Sequence, residues 1–337
     1  MPGPSHTRAR RTLLGALLVA GAVLPAPAGA VVAPPGSPVA LAAAQSIDLC
    51  ATPGTVALPG AATVPIWGFA LRPTPATPCS SVAGQQPGPV LEVAVGDTVV
   101  LNVTNAIPGH TISLSLPGIA LDPGPTDAAP GATVSLSFTA SSPGTYLYSS
   151  TGDAGRQQAM GLGGALLVCS SVPCPTSGTH YSSAYDRAAV AVLGEIDPAF
   201  NAAPDTYDLR RWAPSYWLIN GKARPDTADI TAAAGERVLL RYLNAGPETV
   251  TMTMLGLHAR LVARDAYRLD NPFDVVAETV PAGSTADLIA AVPAGAAAGS
   301  AFPLYNRQLH LNNGAPADSA FAPAAGGGMM TFIRVPG

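Results

Sequence analysis

Gly96-Asp-Thr-Val-Val-Leu-Asn-Val-Thr-Asn105-Ala106 returns 139 residues later, without a gap, as Gly235-Glu-Arg-Val-Leu-Leu-Arg-Tyr-Leu-Asn244-Ala245. In both copies a Gly-acid pair makes a turn that launches a strand with alternating apolar residues. Val99, Leu101 and Val103 face a core in the first copy, as do Val238, Leu240 and Tyr242 in the second. A second echo pairs Gly131-Ala-Thr-Val-Ser-Leu136 with Gly283-Ser-Thr-Ala-Asp-Leu288. Chance readily produces one such match, but two in the same order argue for duplicated β-sandwich domains.

The surrounding chain fits an all-β reading. Strand-like runs are expected at 63–70, 98–104, 111–116, 133–139, 145–149 and 165–169 in the first half. In the second they fall at 188–196, 216–219, 237–243, 250–255, 259–263, 275–280, 286–292 and 329–335. Most are bounded by Gly or Pro, which number 35 each. An apolar fraction of 48% is too high for a disordered chain, while only 11% of residues are charged. The polar, turn-like stretch from Thr176 marks the boundary, giving expected domains at 47–178 and 179–337.

The N-terminus reads as an export signal over residues 1–30. Arg8, Arg10 and Arg11 form a positive head, Leu13 to Leu24 an apolar run, and Ala28-Gly29-Ala30 a cleavage pattern. The tandem Arg10-Arg11 is compatible with the twin-arginine route. Residues 31–46, uncharged and rich in Ala, Pro and Val, are expected to be an irregular leader. Removing 1–30 takes away three Arg and no acid, leaving fourteen basic against twenty-one acidic side chains, a net charge of about −7. That acidity argues against nucleic acid or anionic lipid as partner. No other stretch is long and apolar enough to span a bilayer.

An exported chain with four cysteines is expected to form two disulfides. Three pairings are open; Cys50–Cys79 with Cys169–Cys174 is preferred because it closes the shorter loops.

Several of these segments resemble a known family. The first repeat, Gly144-Thr-Tyr-Leu-Tyr-Ser149 and Met160-Gly-Leu-Gly-Gly-Ala-Leu-Leu-Val168 resemble the N-terminal cupredoxin domain of multicopper oxidases. Leu218-Ile-Asn-Gly-Lys222, the second repeat, Leu261-Val-Ala-Arg-Asp265 and the closing Gly327–Val335 are similar to that family's middle domain. The resemblance covers nearly all of 60–337 and implies two tandem cupredoxin-like Greek-key β-sandwich domains. It also implies a copper-dependent oxidoreductase, and there the chain departs from the pattern.

Family members hold a trinuclear copper cluster with paired His-x-His motifs, because residues i and i+2 of a strand present both imidazoles on one side. At the matching positions this chain has Ser115 and Pro117 for one pair, Ser149 and Thr151 for the other. The blue copper needs a cysteine thiolate, yet no Cys follows Cys174. The third domain and the C-terminal His-Cys-His motif have no counterpart in this sequence either. The reading is therefore an exported non-catalytic binding or structural module, with no catalytic residue and no cofactor expected and a protein or envelope component as its partner. The resemblance also allows a homo-oligomer through sandwich faces.

The alternative is a laccase-like, copper-dependent oxidoreductase that borrows ligands from a partner chain or uses an atypical Met/His site. Met252, Met254 and His258 are the candidates for such a site, since thioethers suit Cu(I); a sandwich core is the ordinary place for those methionines. His110, between Pro108-Gly109 and the lost first motif, reads as a loop-tip residue. The charges Arg264, Asp265, Arg268, Asp270, Asp274 and Glu278 read as a solvated loop with weak ion pairs. Tyr146, Tyr148, Trp212, Tyr216 and Trp217 read as core or interface aromatics. No nucleophile elbow, zinc motif or phosphate loop is present.

Overall fold

In the computed structural model, which describes Met1, Gly3 and residues 38–40, 45–60, 63–314 and 327–337, the two repeats take the same place in two sheets. Thr98–Asn105 pairs parallel with Gln45–Val56 on one side and antiparallel with Thr133–Thr139 on the other. Arg237–Asn244 likewise lies between Arg187–Ile196, parallel, and Thr285–Ala291, antiparallel. The strands of the second echo are thus the neighbours of the strands of the first.

The turns that frame these strands repeat the same hydrogen-bonding pattern. Gly96 and Gly235 have φ of 93° and 83°, a left-handed conformation that favours glycine. The acid that follows folds back onto the chain: Asp97 accepts from Ala94 N–H at 3.1 Å, Glu236 from Ala233 N–H at 2.8 Å. At the far end Asn105 and Asn244 are fully buried. Asn105 donates to the carbonyls of His110 and Ala128 and accepts from Ile107 N–H. Asn244 donates to those of Glu248 and Val280 and accepts from Gly246 N–H.

Each half is a sandwich. The first packs the sheet Val64–Leu71, Gln45–Val56, Thr98–Asn105, Thr133–Thr139 against a six-stranded sheet containing Val90–Ala94, Gly163–Cys169, Gly144–Ser150 and Ile112–Ser115. Its core joins Val99, Leu101 and Val103 to Leu91, Leu114, Tyr148 and Leu166. The second packs Tyr216–Ile219, Arg187–Ile196, Arg237–Asn244, Thr285–Ala291, Ala259–Arg264 and Tyr267–Val275 against a five-stranded sheet that includes Ala301–Asn306, Met330–Arg334 and Val250–Met254. Val238, Leu240 and Tyr242 meet Met252, Leu304 and Ile333 in its core.

A third apolar layer joins the two. Val90, Leu147, Ala165 and Leu167 of the first sandwich pack with Val192 and Leu243 of the second. Gly144–Ser150 and Gly163–Cys169 are accordingly buried on both faces, which explains the unbroken apolar run Ala165–Val168. Disulfides join Cys50 to Cys79 and Cys169 to Cys174, both on the side of the first sandwich.

The structure departs from expectation in several places, among them the strands Gln45–Val56, Val90–Ala94 and Ala301–Asn306, which were not expected. The export signal and most of the leader lie outside the described residues, but Pro38–Ala40, inside the supposedly irregular stretch, is a strand parallel to Val90–Ala94. The charge-dense segment is no loop: Ala259–Arg264 and Tyr267–Val275 form an edge hairpin, followed by Ala277–Val280. Arg260 pairs with Asp274 across the ladder, while Arg264 reaches over to the buried Glu278 of the five-stranded sheet. The boundary stretch holds a small hairpin, Gly178–His180 with Ser183–Tyr185.

Candidate functional site

The four positions matching copper ligands fall at the ends of two neighbouring strands. Ser115 ends Ile112–Ser115 and stands directly opposite Ser149 in Gly144–Ser150. Pro117 and Thr151, each two residues further on, are exposed. The register therefore brings one position from each pair together, as a ligand face requires. What stands at the pair is two serines, and the neighbouring Ser150 is tied into a neutral hydrogen-bond network of its own. Ser150, fully buried, accepts from Ser113 N–H at 3.0 Å and donates to Gln157 Oε1 at 2.6 Å. Gln157 in turn donates to the Thr111 carbonyl at 2.8 Å. Serine and threonine hydroxyls are poor ligands for copper beside imidazole or thiolate, and proline offers no side-chain donor. These residues do not fit the copper cluster that the resemblance implies.

His110 is the histidine nearest this face by chain position, and it is not a free loop tip. Its ring centroid lies 4.4 Å from that of Trp67. Nε2 is 2.8 Å from Asp205 Oδ1 and Nδ1 is 3.4 Å from Asp153 Oδ2, while Arg156 Nε holds the same Asp153 oxygen at 3.0 Å. Both ring nitrogens are engaged by carboxylates, so neither is presented to the Ser115–Ser149 pair. Asp205 comes from the second half of the chain. It sits in the connection between Arg187–Ile196 and Tyr216–Ile219, a strap that also docks Asn201 Nδ2 on the Pro65 carbonyl.

Met252 and Met254 share a strand face as expected and are buried in the second core. His258 is exposed, so the structure does not bring the three together. Among the described residues no group of three or more His, Cys, Asp or Glu is arranged to hold a metal.

Two further clusters, the first of them buried, were not foreseen as units from the sequence. Between the sandwiches, Arg241 donates to the Thr145 hydroxyl at 2.8 Å, Thr145 donates to Asp287 Oδ1 at 2.7 Å, and His180 Nε2 lies 3.0 Å from Asp287 Oδ2. Burial pushes the Asp287 carboxyl up, but the bond to His180 and the charge of Arg241 outweigh it and hold Asp287 below the usual carboxylate range. Beside the strap, Trp212 Nε1 donates to Glu248 Oε1 at 3.2 Å, and His310 stacks on Trp217 with centroids 3.9 Å apart. Burial raises the Glu248 carboxyl, lowers His310 and pushes the enclosed Glu195 up to about 8. Trp212, Trp217, Glu248 and His310 line a cavity of about 570 Å³. A second space, about 510 Å³, is a cleft between the sandwiches, walled by 118–122, 137–142 and Tyr146 on one side and Asp265–Tyr267 on the other. Of its lining only Asp265 and Tyr146 had been singled out in the sequence, the one in a charge run and the other as a core aromatic.

By sequence, residues 70–172 match the multicopper oxidase family. The multicopper oxidase MmcO of Mycobacterium tuberculosis is 25% identical over 284 residues, 70% of this chain and 53% of that one. The chain thus spans about half the length of the curated relative it matches. Among solved structures, the blue copper oxidase from Nitrosomonas europaea aligns with a TM-score of 0.70 at 20% identity, covering 86% of this chain and 85% of that one. The copper nitrite reductase from Nitrosomonas europaea gives 0.64 at 21%, covering 86% and 93%. These likenesses define the class, a protein of tandem cupredoxin-like sandwiches. By sequence, the likeness to multicopper oxidases is carried by residues 70–172 and by the MmcO match.

Proposed function

We propose that this chain is an exported, non-catalytic binding module of the cell envelope or extracellular space, built on the oxidase scaffold as sandwiches at 47–178 and 179–337. The observation that carries the reading is the donor set. Ser115, Pro117, Ser149 and Thr151 stand where the resemblance expects four imidazoles. A fold retained while its chemistry is lost is free to serve binding, and function must then be argued from the remaining surfaces. The absence of a membrane-length apolar helix among the described residues agrees with a module that does not span a bilayer by a helix.

The test is dioxygen uptake by the exported, copper-loaded protein with a phenolic substrate. The module consumes no more dioxygen than free copper at the same concentration. Turnover above that background establishes the alternative, a copper-dependent oxidoreductase using ligands from a partner chain.

A further inference from the structure

We infer that the cleft between the two sandwiches is a binding site for a neutral saccharide chain. This rests on the module reading and names its ligand class.

The cleft is built from both halves. One wall carries Asp122, Ser141, Ser142 and the ring of Tyr146, the other Asp265 and Tyr267. Its volume of about 510 Å³ lies within the range of small-ligand pockets. The second wall is fixed to the first by the tip of the edge hairpin. Asp265 and Ala266 adopt left-handed φ of 50° and 61°, a strained two-residue turn for residues that are not glycine. Ala266 seats where a Cβ on Gly144 would come within 2.7 Å of its own Cβ, so that approach depends on glycine at 144. The Tyr181 hydroxyl lies 2.9 Å from the Ala266 carbonyl and 3.0 Å from that of Pro143, tying both walls to the boundary hairpin. The cleft is therefore a standing shape.

Its chemistry selects the ligand. No lysine, arginine or histidine lines it, so anionic sugars, phosphates and nucleic acid meet two carboxylates and no counter-charge. Side-chain hydroxyls supply donors and acceptors along one wall. The carboxylate of Asp122, and the Asp265 oxygen not held by Thr285 N–H, can accept charge-assisted bonds from ligand hydroxyls. Tyr267 is 70% exposed, an aromatic face left in water at the cleft; such a ring stacks against the C–H face of a pyranose while its hydroxyl stays wet. Aromatic faces, hydroxyls and carboxylates together match a neutral polyhydroxylated chain better than a bare cation, which needs no aromatic wall.

The test uses the full exported chain and three neutral tetrasaccharides, cellotetraose, maltotetraose and chitotetraose, with a tetragalacturonate as the anionic contrast. Binding is read by saturation-transfer NMR and calorimetry. At least one neutral tetrasaccharide binds and the anionic one does not. Tyr267→Ala weakens binding about tenfold, or ~1.4 kcal/mol, and Asp122→Asn weakens it as well. Phe273→Ala, an exposed ring on the same strand but outside the cleft, leaves it unchanged. No binding of any neutral tetrasaccharide, or binding untouched by both cleft variants, overturns the inference, as does calcium alone binding where saccharides do not. If saccharides fail while the copper-loaded protein stays inactive, only this inference falls. Dioxygen uptake above background removes the module reading instead.

Discussion

The two sandwiches carry the same loop after the same strand, and they use it differently. In the first, Asn105 brackets a turn that ends at His110; in the second, Asn244 brackets one that ends at Glu248. The strap between Arg187–Ile196 and Tyr216–Ile219 reaches both, offering Asp205 to His110 and Trp212 to Glu248. Duplication has preserved the backbone bracket, while the titratable residue in it and its partner have diverged. The same holds one strand further on. Ser115 faces Ser149 in the first sandwich, and Thr253 faces Tyr305 at the matching place in the second. The frame is conserved between the halves because the buried asparagine satisfies three backbone groups at once; the residues it presents are free to change.

That comparison can be broken most strongly at the asparagines. Asn105→Ala and Asn244→Ala each leave one buried N–H and two carbonyls without their partner, and each costs about 4 kcal/mol in chemical denaturation. Comparable losses sharpen the claim of a duplicated bracket; a cost confined to one copy breaks it.

The halves differ in covalent support, since both disulfides lie in the first. On chain-entropy grounds, removing Cys50–Cys79, with a separation of 29, costs about 3.6 kcal/mol, and removing Cys169–Cys174, with a separation of 5, costs about 2 kcal/mol. Denaturation of Cys50→Ala/Cys79→Ala and Cys169→Ala/Cys174→Ala pairs reads the ranking.

The second bracket alone responds to pH through a buried acid. Glu195 Oε1 accepts from Glu248 N–H at 2.7 Å, and burial lifts its carboxyl to about 8 from an ordinary 4.5. The folded state therefore binds more protons between those values, and this group costs stability as pH rises through them. Glu195→Gln removes that slope, so the variant gains on the parent from about pH 4.5 to 8 in thermal or urea unfolding. A parallel pH dependence in parent and variant contradicts the assignment.

The smallest effect is expected at the strap's contact with the first bracket. Asp205 is two-thirds exposed, and Asp205→Asn costs under about 1 kcal/mol. The cost shrinks further in high salt.

Much of this frame was legible in the sequence because it rests on local signals: Gly-acid turns, alternation and a terminal Asn in two copies. The positions assigned as lost ligands, Ser115, Pro117, Ser149 and Thr151, came from the resemblance rather than from such local signals. Gln45–Val56 was missed because Thr52-Pro53-Gly54 reads as a turn, though the strand continues through it along Val64–Leu71. Arg241 and Asp287 look like solvent-facing residues of half-buried strands. Their outer face is in fact covered by the first sandwich, which leaves them 4% and 1% exposed. Nothing local marks a polar residue whose water is replaced by Thr145, far away in the chain. The strap and the cleft were hidden likewise, since each exists only once the two sandwiches are docked.

The central claim, an oxidase scaffold without its copper chemistry, is tested most directly by metal analysis of the exported protein after copper loading and desalting. The account predicts copper well below one atom per chain and no blue absorption band. One or more tightly held copper atoms per chain, lost when Ser115 or Ser149 is replaced by Ala, contradicts it.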